Sequence, residues 1–376
     1  AWKLHVPQEY PGKERYRITR KGTDLVLAGN DAGTYQGTRA AVCEFLRRQG
    51  CGWFGDDPLW QVIPSRPALA ISAMNVSVTP PLALRSIWYV PRTIGEKWGL
   101  QGDVVEAQHN LSNIIPPALF AAHPEYFPLI NGKRTAEGEF QICTTHPEVI
   151  KLSVDAARNA FDANPNLVAF SLSNNDCGGF CTCPDCQTVR GTAGNQHANA
   201  MLQYANAVAT ELRTTHPTAR VVFLAYWYTH WAPDPALKAA PGVVVMLVNE
   251  GCHAHALDDL TCQRNVDCRA NFERWAATGA EMAMYEWYIP GCSDKRWNVL
   301  PWVSGETALR NLRWWTGHGV KWITYESQAG MSTALPLAWP LYQVAARGLW
   351  QPAVPAADIL RESCGMLYGP AAPAML

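Results

Sequence analysis

The chain has 376 residues, with Lys plus Arg at 31 against Asp plus Glu at 32, for a formal net charge of −1. That balance lacks the clustered positive surplus of a nucleic-acid phosphate track, and 48% hydrophobic against 17% charged residues excludes a disordered chain. The longest apolar runs, such as Val243–Val248, are strand-sized and fall short of the ~20 residues of a membrane span.

Taken in chain order, Tyr16–Thr19 and Asp24–Ala28 read as two short strands around the turn Lys21-Gly22-Thr23. A helix follows over 35–48, with Ala40, Ala41, Phe45 and Leu46 as its apolar positions and Gly50 as its stop, and Cys51–Phe54 returns as a strand. Pro80-Pro81 fits neither a helix nor a central strand and places a domain boundary, giving a small α+β domain over 1–80 and a second domain over 81–376. From there strand-like and helix-like segments alternate. The predicted strands are Leu82–Val90, Leu167–Leu172, Val221–Tyr228, Val243–Val248, Met282–Tyr288 and Val320–Tyr325. The predicted helices are 147–161, 195–214, 269–278, 307–316 and 336–349. Repeated βα units over this length predict an α/β fold, a (β/α)8 TIM barrel. A doubly wound open sheet competes less well, because no Gly-rich nucleotide loop follows any strand.

The twelve cysteines include two close pairs, Cys43/Cys51 and Cys262/Cys268, whose spacing suits local disulfides and favours a secreted, periplasmic or cell-surface protein. Ala1-Trp2-Lys3 carries neither an initiator Met nor a signal-peptide pattern, which reads as a processed or trimmed product. Trp is unusually abundant, 16 against 10 Phe and 13 Tyr, and its flat apolar face with one N–H donor suits stacking on sugar rings.

Chemistry in such a barrel lies at the C-terminal strand ends. Four predicted strands run into acidic residues there: Asp176, Glu250, Glu286 and Glu326. Trp227, Trp231, Trp287 and Tyr288 stand among them, beside Tyr226 and Tyr228, and His109 is placed near the barrel mouth. Cleaving a glycoside needs a proton donor for the leaving oxygen and a group that stabilises positive charge at the anomeric carbon, so this is the pattern of a sugar-cleaving site with an oligosaccharide or glycoprotein glycan as partner. Catalysis of this kind requires no cofactor. The run Cys181-x-Cys183-x-x-Cys186 has thiolate spacing suited to a structural zinc, with Cys177, Cys252, His253 or His255 as the fourth ligand, and disulfides are the competing reading.

Several motifs then carry a resemblance. These are His123-Pro124-Glu125-Tyr126-Phe127-Pro128-Leu129-Ile130-Asn131-Gly132-Lys133-Arg134, Gln141-Ile142-Cys143 before His146-Pro147-Glu148-Val149, Ser173-x-Asn175-Asp176 with the cysteine run, and Ala225-Tyr226-x-Tyr228-Thr229. Together they resemble glycoside hydrolase family 163 and its wider group of bacterial barrel proteins. Gly37-Thr38-Arg39-Ala40 through Gly50-Cys51-Gly52-Trp53-Phe54 is similar to the small domain that precedes family 20 hexosaminidase and α-glucuronidase barrels. The resemblance implies an endo-β-N-acetylglucosaminidase that cuts N-glycans by substrate-assisted retention. It implies Asp176 as proton donor and Asn175 as the group orienting the substrate acetamide, at the end of a fourth strand, with Glu250, Glu286 and Glu326 binding substrate or assisting. Two alternatives stay open. One is an α-glucuronidase-like, two-carboxylate enzyme with Arg85, Lys133 and Arg134 as a basic subsite for a sugar acid; the other is a non-catalytic glycan-binding barrel.

Overall fold

The computed structural model describes residues 14–66, 68, 71, 74–106, 108–138, 140–287 and 305–327, and from 331 to 376 the backbone throughout with side chains from 338 onward. Strands β1 (Tyr16–Lys21) and β2 (Asp24–Gly29) pair antiparallel, and β3 (Asn75–Val78) adds to the other edge of β1, so Ile18 stands opposite both Leu27 and Val76. Burial alternates along β1, with Tyr16 and Ile18 inside and Arg17 outside, the two-residue period of a half-covered sheet. Helix α1 (Gly37–Arg48) covers that face. Its Ala40, Ala41 and Phe45 join Tyr16, Ile18, Val78 and Trp350 in one core.

The second part is a TIM-like barrel. Its strands are β4 (Leu84–Ile87), β5 (Val104–Val105), β6 (Leu167–Ser171), β7 (Arg220–Ala225), β8 (Val243–Val248), β9 (Glu281–Glu286) and β10 (Trp322–Tyr325). They form a seven-stranded sheet in the order β4-β10-β9-β8-β7-β6-β5. All six residues of β8 are buried, as befits a parallel strand covered on both faces. The edges nearly close: Asp103 N–H donates to the Ala83 carbonyl at 2.9 Å, and Leu84 bridges to Gly102. Gly102 has φ +123°, and a Cβ there would lie 1.8 Å from the Ala83 oxygen, so the seam demands glycine.

Among the described residues seven strands take part, where the sequence suggests eight. Between β5 and β6 the described chain forms short turns at Pro117–Leu119 and Pro124–Tyr126, a hairpin of Leu129–Ile130 with Lys133–Arg134, and helix α2 (Pro147–Ala163). Prolines 116, 117, 124 and 128 lack the N–H a ladder needs. Asn175-Asp176 therefore follows the third barrel strand in chain order, a correction to the expected fourth.

By contacts in space the chain divides into two units, each built from separate segments. Unit one comprises Ala1–Asp103, Glu250–Asn265 and Tyr285–Leu376; unit two comprises Val104–Asn249 and Val266–Met284. In unit two, α2 and α4 (Gln196–Leu212) are joined by the Ser153–Tyr204 hydroxyl pair at 2.6 Å, and between them in chain order α3 (Pro184–Arg190) carries Cys186, the last of the cysteine run. Asn195 caps α4 by accepting the His197 and Ala198 N–H groups. Helix α5 is Gln263–Ala276. Unit one carries α6 (Gly305–Gly317), α7 (Met331–Trp350) and α8 (Ala356–Tyr368).

The described cysteines are free. The expected Cys43–Cys51 and Cys262–Cys268 bridges do not form: Cys262 groups with Cys252 and His255, while the Cys268 thiol reaches Asn249 Oδ1 at 3.4 Å. No helix among the described residues is long and apolar enough to cross a membrane.

Candidate active site and metal centre

In unit one the ends of β9 and β10 lie side by side, with Glu326 N–H donating to the Glu286 carbonyl at 2.6 Å. Successive residues of a strand face opposite ways, and the two carboxylates have different surroundings as a result. Glu286 is buried and accepts the indole N–H of Trp315 on α6. Tyr285, one residue earlier, donates its hydroxyl to the Glu326 carboxylate. Burial pushes the Glu326 carboxyl up to about 7, so it carries a proton for part of the time at neutral pH.

The tyrosine that meets this carboxyl is itself packed among aromatic rings. Tyr285 sits edge-on to Trp88 at 5.2 Å and 6.0 Å from Trp287. Trp88 is fixed through its backbone, its N–H donating to the Tyr325 carbonyl at 3.0 Å and its carbonyl accepting the Ser327 hydroxyl at 2.5 Å. Tyr89 follows in the left-handed region at φ +58° and is exposed. A bulky residue there is strained, and such strain clusters at functional sites.

In unit two β6 runs into Leu172–Asp176. Asn175 is fully engaged: its side-chain amide donates to the Phe140 carbonyl at 2.7 Å and accepts Ser112 N–H at 3.3 Å. Its backbone N–H and carbonyl are both taken by the Gln141 amide, at 2.9 and 2.8 Å. His109 Nδ1 bonds the Asn174 carbonyl. Asp176 is exposed. β7 runs into Tyr226–Tyr228, where Trp227 (φ +49°), Tyr228 and Trp231 are exposed by 52%, 37% and 47%. The Trp227 and Tyr228 rings lie 4.5 Å apart and Tyr226 is 6.5 Å from Trp227, forming a partly exposed aromatic platform.

Glu286 and Glu326 are thus neighbours by backbone in unit one, beside Trp287, with their carboxylates on different partners, and Asn175, Asp176, His109, Tyr226, Trp227 and Tyr228 belong to unit two. Glu250 is half-buried beyond β8, and its carbonyl accepts Arg264 Nε–H at 2.8 Å. Tyr288 lies outside the described residues. Arg85 is corrected: it is fully buried, ion-paired with Glu14, bonded to the Gly99 and Leu82 carbonyls at 3.1 and 2.8 Å and seated 4.4 Å from the Trp350 ring, so it locks the fold and cannot meet a sugar acid. Arg134 is half-buried, and its Nη1 donates to the Phe127 carbonyl at 2.5 Å and to Cys181 Sγ at 3.5 Å.

The cysteine run gains a partner that spacing could not show. Cys143, Cys181, Cys183 and Cys186 are all buried, with their sulfurs within 4.8 Å of one another. Cys143 Sγ lies 3.7 Å from that of Cys183 and 3.8 Å from that of Cys186. The fourth member is therefore Cys143 and none of the four expected residues. Cys177 is held by the Gln141 amide at 3.3 Å, and Cys252 and His255 form their own group with Cys262. Tyr285, Trp88 and Trp315 were also missed; the only signal for Tyr285 was its place one residue before a strand-end glutamate.

A separate cavity in unit one is lined by Tyr16, Glu44, Arg47, Lys97, Arg347 and Glu362 among others. Its charges are largely paired with each other, Arg47 with Glu44 and Glu362, and Arg347 with Glu362, which marks it as a packing seam.

The barrel has clear counterparts. A family 89 glycoside hydrolase from Clostridium perfringens, solved as a variant with its substrate GlcNAc-α-1,4-galactose, superposes with a TM-score of 0.55 at 8% identity over 95% of this chain and 47% of that one. The same family's enzyme with 2-acetamido-1,2-dideoxynojirmycin gives 0.54 at 8% identity and the same coverage. This chain spans about half the length of those proteins, and at this identity the likeness establishes the fold. No curated protein matches the chain by sequence. Residues 57–376, most of its length, match the family described as "Domain of unknown function (DUF4838)", and the chain belongs to that family.

Proposed function

We propose that the chain is a glycoside hydrolase acting on a glycan that contains a 2-acetamido sugar, with Glu326 as its proton donor. One observation carries the reading. A carboxyl raised to about 7 at the C-terminal end of a barrel strand, touched by the hydroxyl of a tyrosine that packs against Trp88 and Trp287, has the proton affinity that protonating a glycosidic oxygen near neutral pH requires. In unit two the adjoining rings of Tyr226, Trp227 and Tyr228 offer a stacking surface for sugar. The ligands held by the family 89 structures support an N-acetylglucosaminide substrate. The sequence resemblance supports β-linked, endo-acting cleavage of N-glycans, whereas the family 89 substrate is α-linked.

The test is release of sugar by the purified chain from nitrophenyl α- and β-N-acetylglucosaminides, a nitrophenyl glucuronide and a high-mannose glycoprotein. Release from an acetamido substrate that disappears in Glu326→Gln is the expected result, and the linkage cleaved decides between the two finer readings. Cleavage of the glucuronide alone would support the α-glucuronidase-like alternative. Binding of glycan by folded wild-type chain without any cleavage would support the non-catalytic barrel instead.

A further inference from the structure

We infer that Cys143, Cys181, Cys183 and Cys186 form a structural zinc site, a closed tetrathiolate that fastens the loop carrying Asn175 and Asp176. Four thiolates around zinc at about 2.3 Å form a tetrahedron whose edges are about 3.8 Å. The Cys143–Cys183 and Cys143–Cys186 sulfur separations, 3.7 and 3.8 Å, match such an edge, and all four residues are buried. Groups around the cluster are those that stabilise sulfur carrying negative charge. Leu129 N–H points at Cys181 Sγ at 3.3 Å, Arg134 Nη1 at the same sulfur at 3.5 Å, and the Thr145 hydroxyl lies 3.1 Å from Cys186 Sγ. Binding replaces four S–H bonds with four Zn–S bonds and releases four protons to solvent without any redox change. The site then carries two negative charges, and Arg134 offsets one.

Its position explains what it does. Cys143 stands two residues from Gln141, whose amide clamps Asn175 and Cys177, and the other three ligands lie on the chain that follows Asp176. Thr182 joins the two sides through its N–H and hydroxyl, both donated to the Leu129 carbonyl at 2.8 and 2.6 Å. The hairpin has only two residue pairs and the loop from Leu172 to Cys183 is irregular backbone, and four metal bonds would give them the rigidity that regular structure does not. With no coordination position left for substrate, the metal is a fastener and not a Lewis acid.

Elemental analysis of chain purified without chelator is the test, and it does not depend on glycosidase activity. We expect one zinc per chain, lost in Cys143→Ser and in Cys183→Ser and kept in Cys177→Ser. Should the ligand variants fail to fold, cobalt exchanged into wild-type chain must show the visible ligand-field bands of a tetrahedral tetrathiolate. Three results would each overturn the assignment: bound iron in place of zinc, an intact mass two hydrogens lighter per bridge in metal-free chain, or zinc retained by folded Cys143→Ser.

Discussion

Two strand ends of this barrel look alike in sequence and differ in physics. β6 runs on into Asn174-Asn175-Asp176 and β10 into Glu326-Ser327, both polar and both acidic. At the end of β6 the polar groups are satisfied by one another: Asn175 spends both ends of its amide on backbone partners, and Asp176 is left exposed. At the end of β10 the carboxyl is partly drawn out of water beside a tyrosine hydroxyl, and burial raises its proton affinity. A scaffold loop needs the first arrangement and a proton donor needs the second. An acidic residue at a strand end says which face of the barrel it occupies, and only its burial says what it can do.

The largest test of this contrast is the pair Glu326→Gln and Asp176→Asn. Losing a general acid costs roughly 10²–10⁴ in rate, so kcat of Glu326→Gln should fall by that much while Asp176→Asn stays within about tenfold of wild type. Steady-state kinetics on the cleaved glycoside reads both. A loss in Asp176→Asn as large as that in Glu326→Gln would move the proton donor to the loop of unit two.

A second test separates the neighbours Glu286 and Glu326. Glu286 answers a buried indole N–H, and a buried donor left without its acceptor costs about 1–3 kcal/mol. Glu286→Ala should lower the unfolding free energy in urea by that amount, and Glu286→Gln, whose carbonyl can still accept, should lower it less. Equal losses in the two variants would show that the charge matters more than the bond to Trp315.

Titration gives a third, in two readouts. Glu326 holds its proton up to about pH 7 in the folded chain against an ordinary 4.5, so between these values the folded state binds more protons than the unfolded one. Stability from this group therefore declines as pH rises through that window and levels off above it. Glu326→Gln should flatten the decline in urea titrations run across the same pH range. In kcat/KM the acid form is the active one, giving a fall in activity as pH rises past about 7. Tyr285→Phe removes a hydroxyl that favours the charged carboxylate, so this fall should move to higher pH.

Much of the barrel was legible because apolar runs report burial directly: Val243–Val248 is buried at every position and has the expected bounds. β5 was not, since two valines carry no period, and its place in the sheet depends on Gly102 allowing the seam to close. The cysteine cluster was three-quarters legible. Local spacing records Cys181, Cys183 and Cys186, but Cys143 joins them across a chain reversal that only tertiary structure makes. Arg85 misled for the opposite reason. A cation near a strand end suggests an anionic ligand, and Glu14, far away in sequence, had already taken that role. Glu286 and Glu326 were indistinguishable as letters, because the facing of each side chain and the ring or hydroxyl that meets it are not local properties.

The smallest effect concerns Trp227, which sits on the unit-two platform with φ +49° and half of its surface in water. Left-handed backbone costs a residue bearing a Cβ roughly 1–2 kcal/mol that glycine does not incur, and an exposed ring recovers little of it by packing. Trp227→Gly should therefore be more stable than Trp227→Ala by about 1 kcal/mol in urea, although the two lack the same indole. If the strain is retained to present the ring to sugar, both variants should raise KM for a glycan by a similar factor while leaving kcat near wild type. A raised kcat/KM in Trp227→Gly, or an unchanged KM in both, would mean that the ring does not meet substrate, and the stacking role would pass to Tyr228 and Trp231, whose exposure does not depend on a strained backbone.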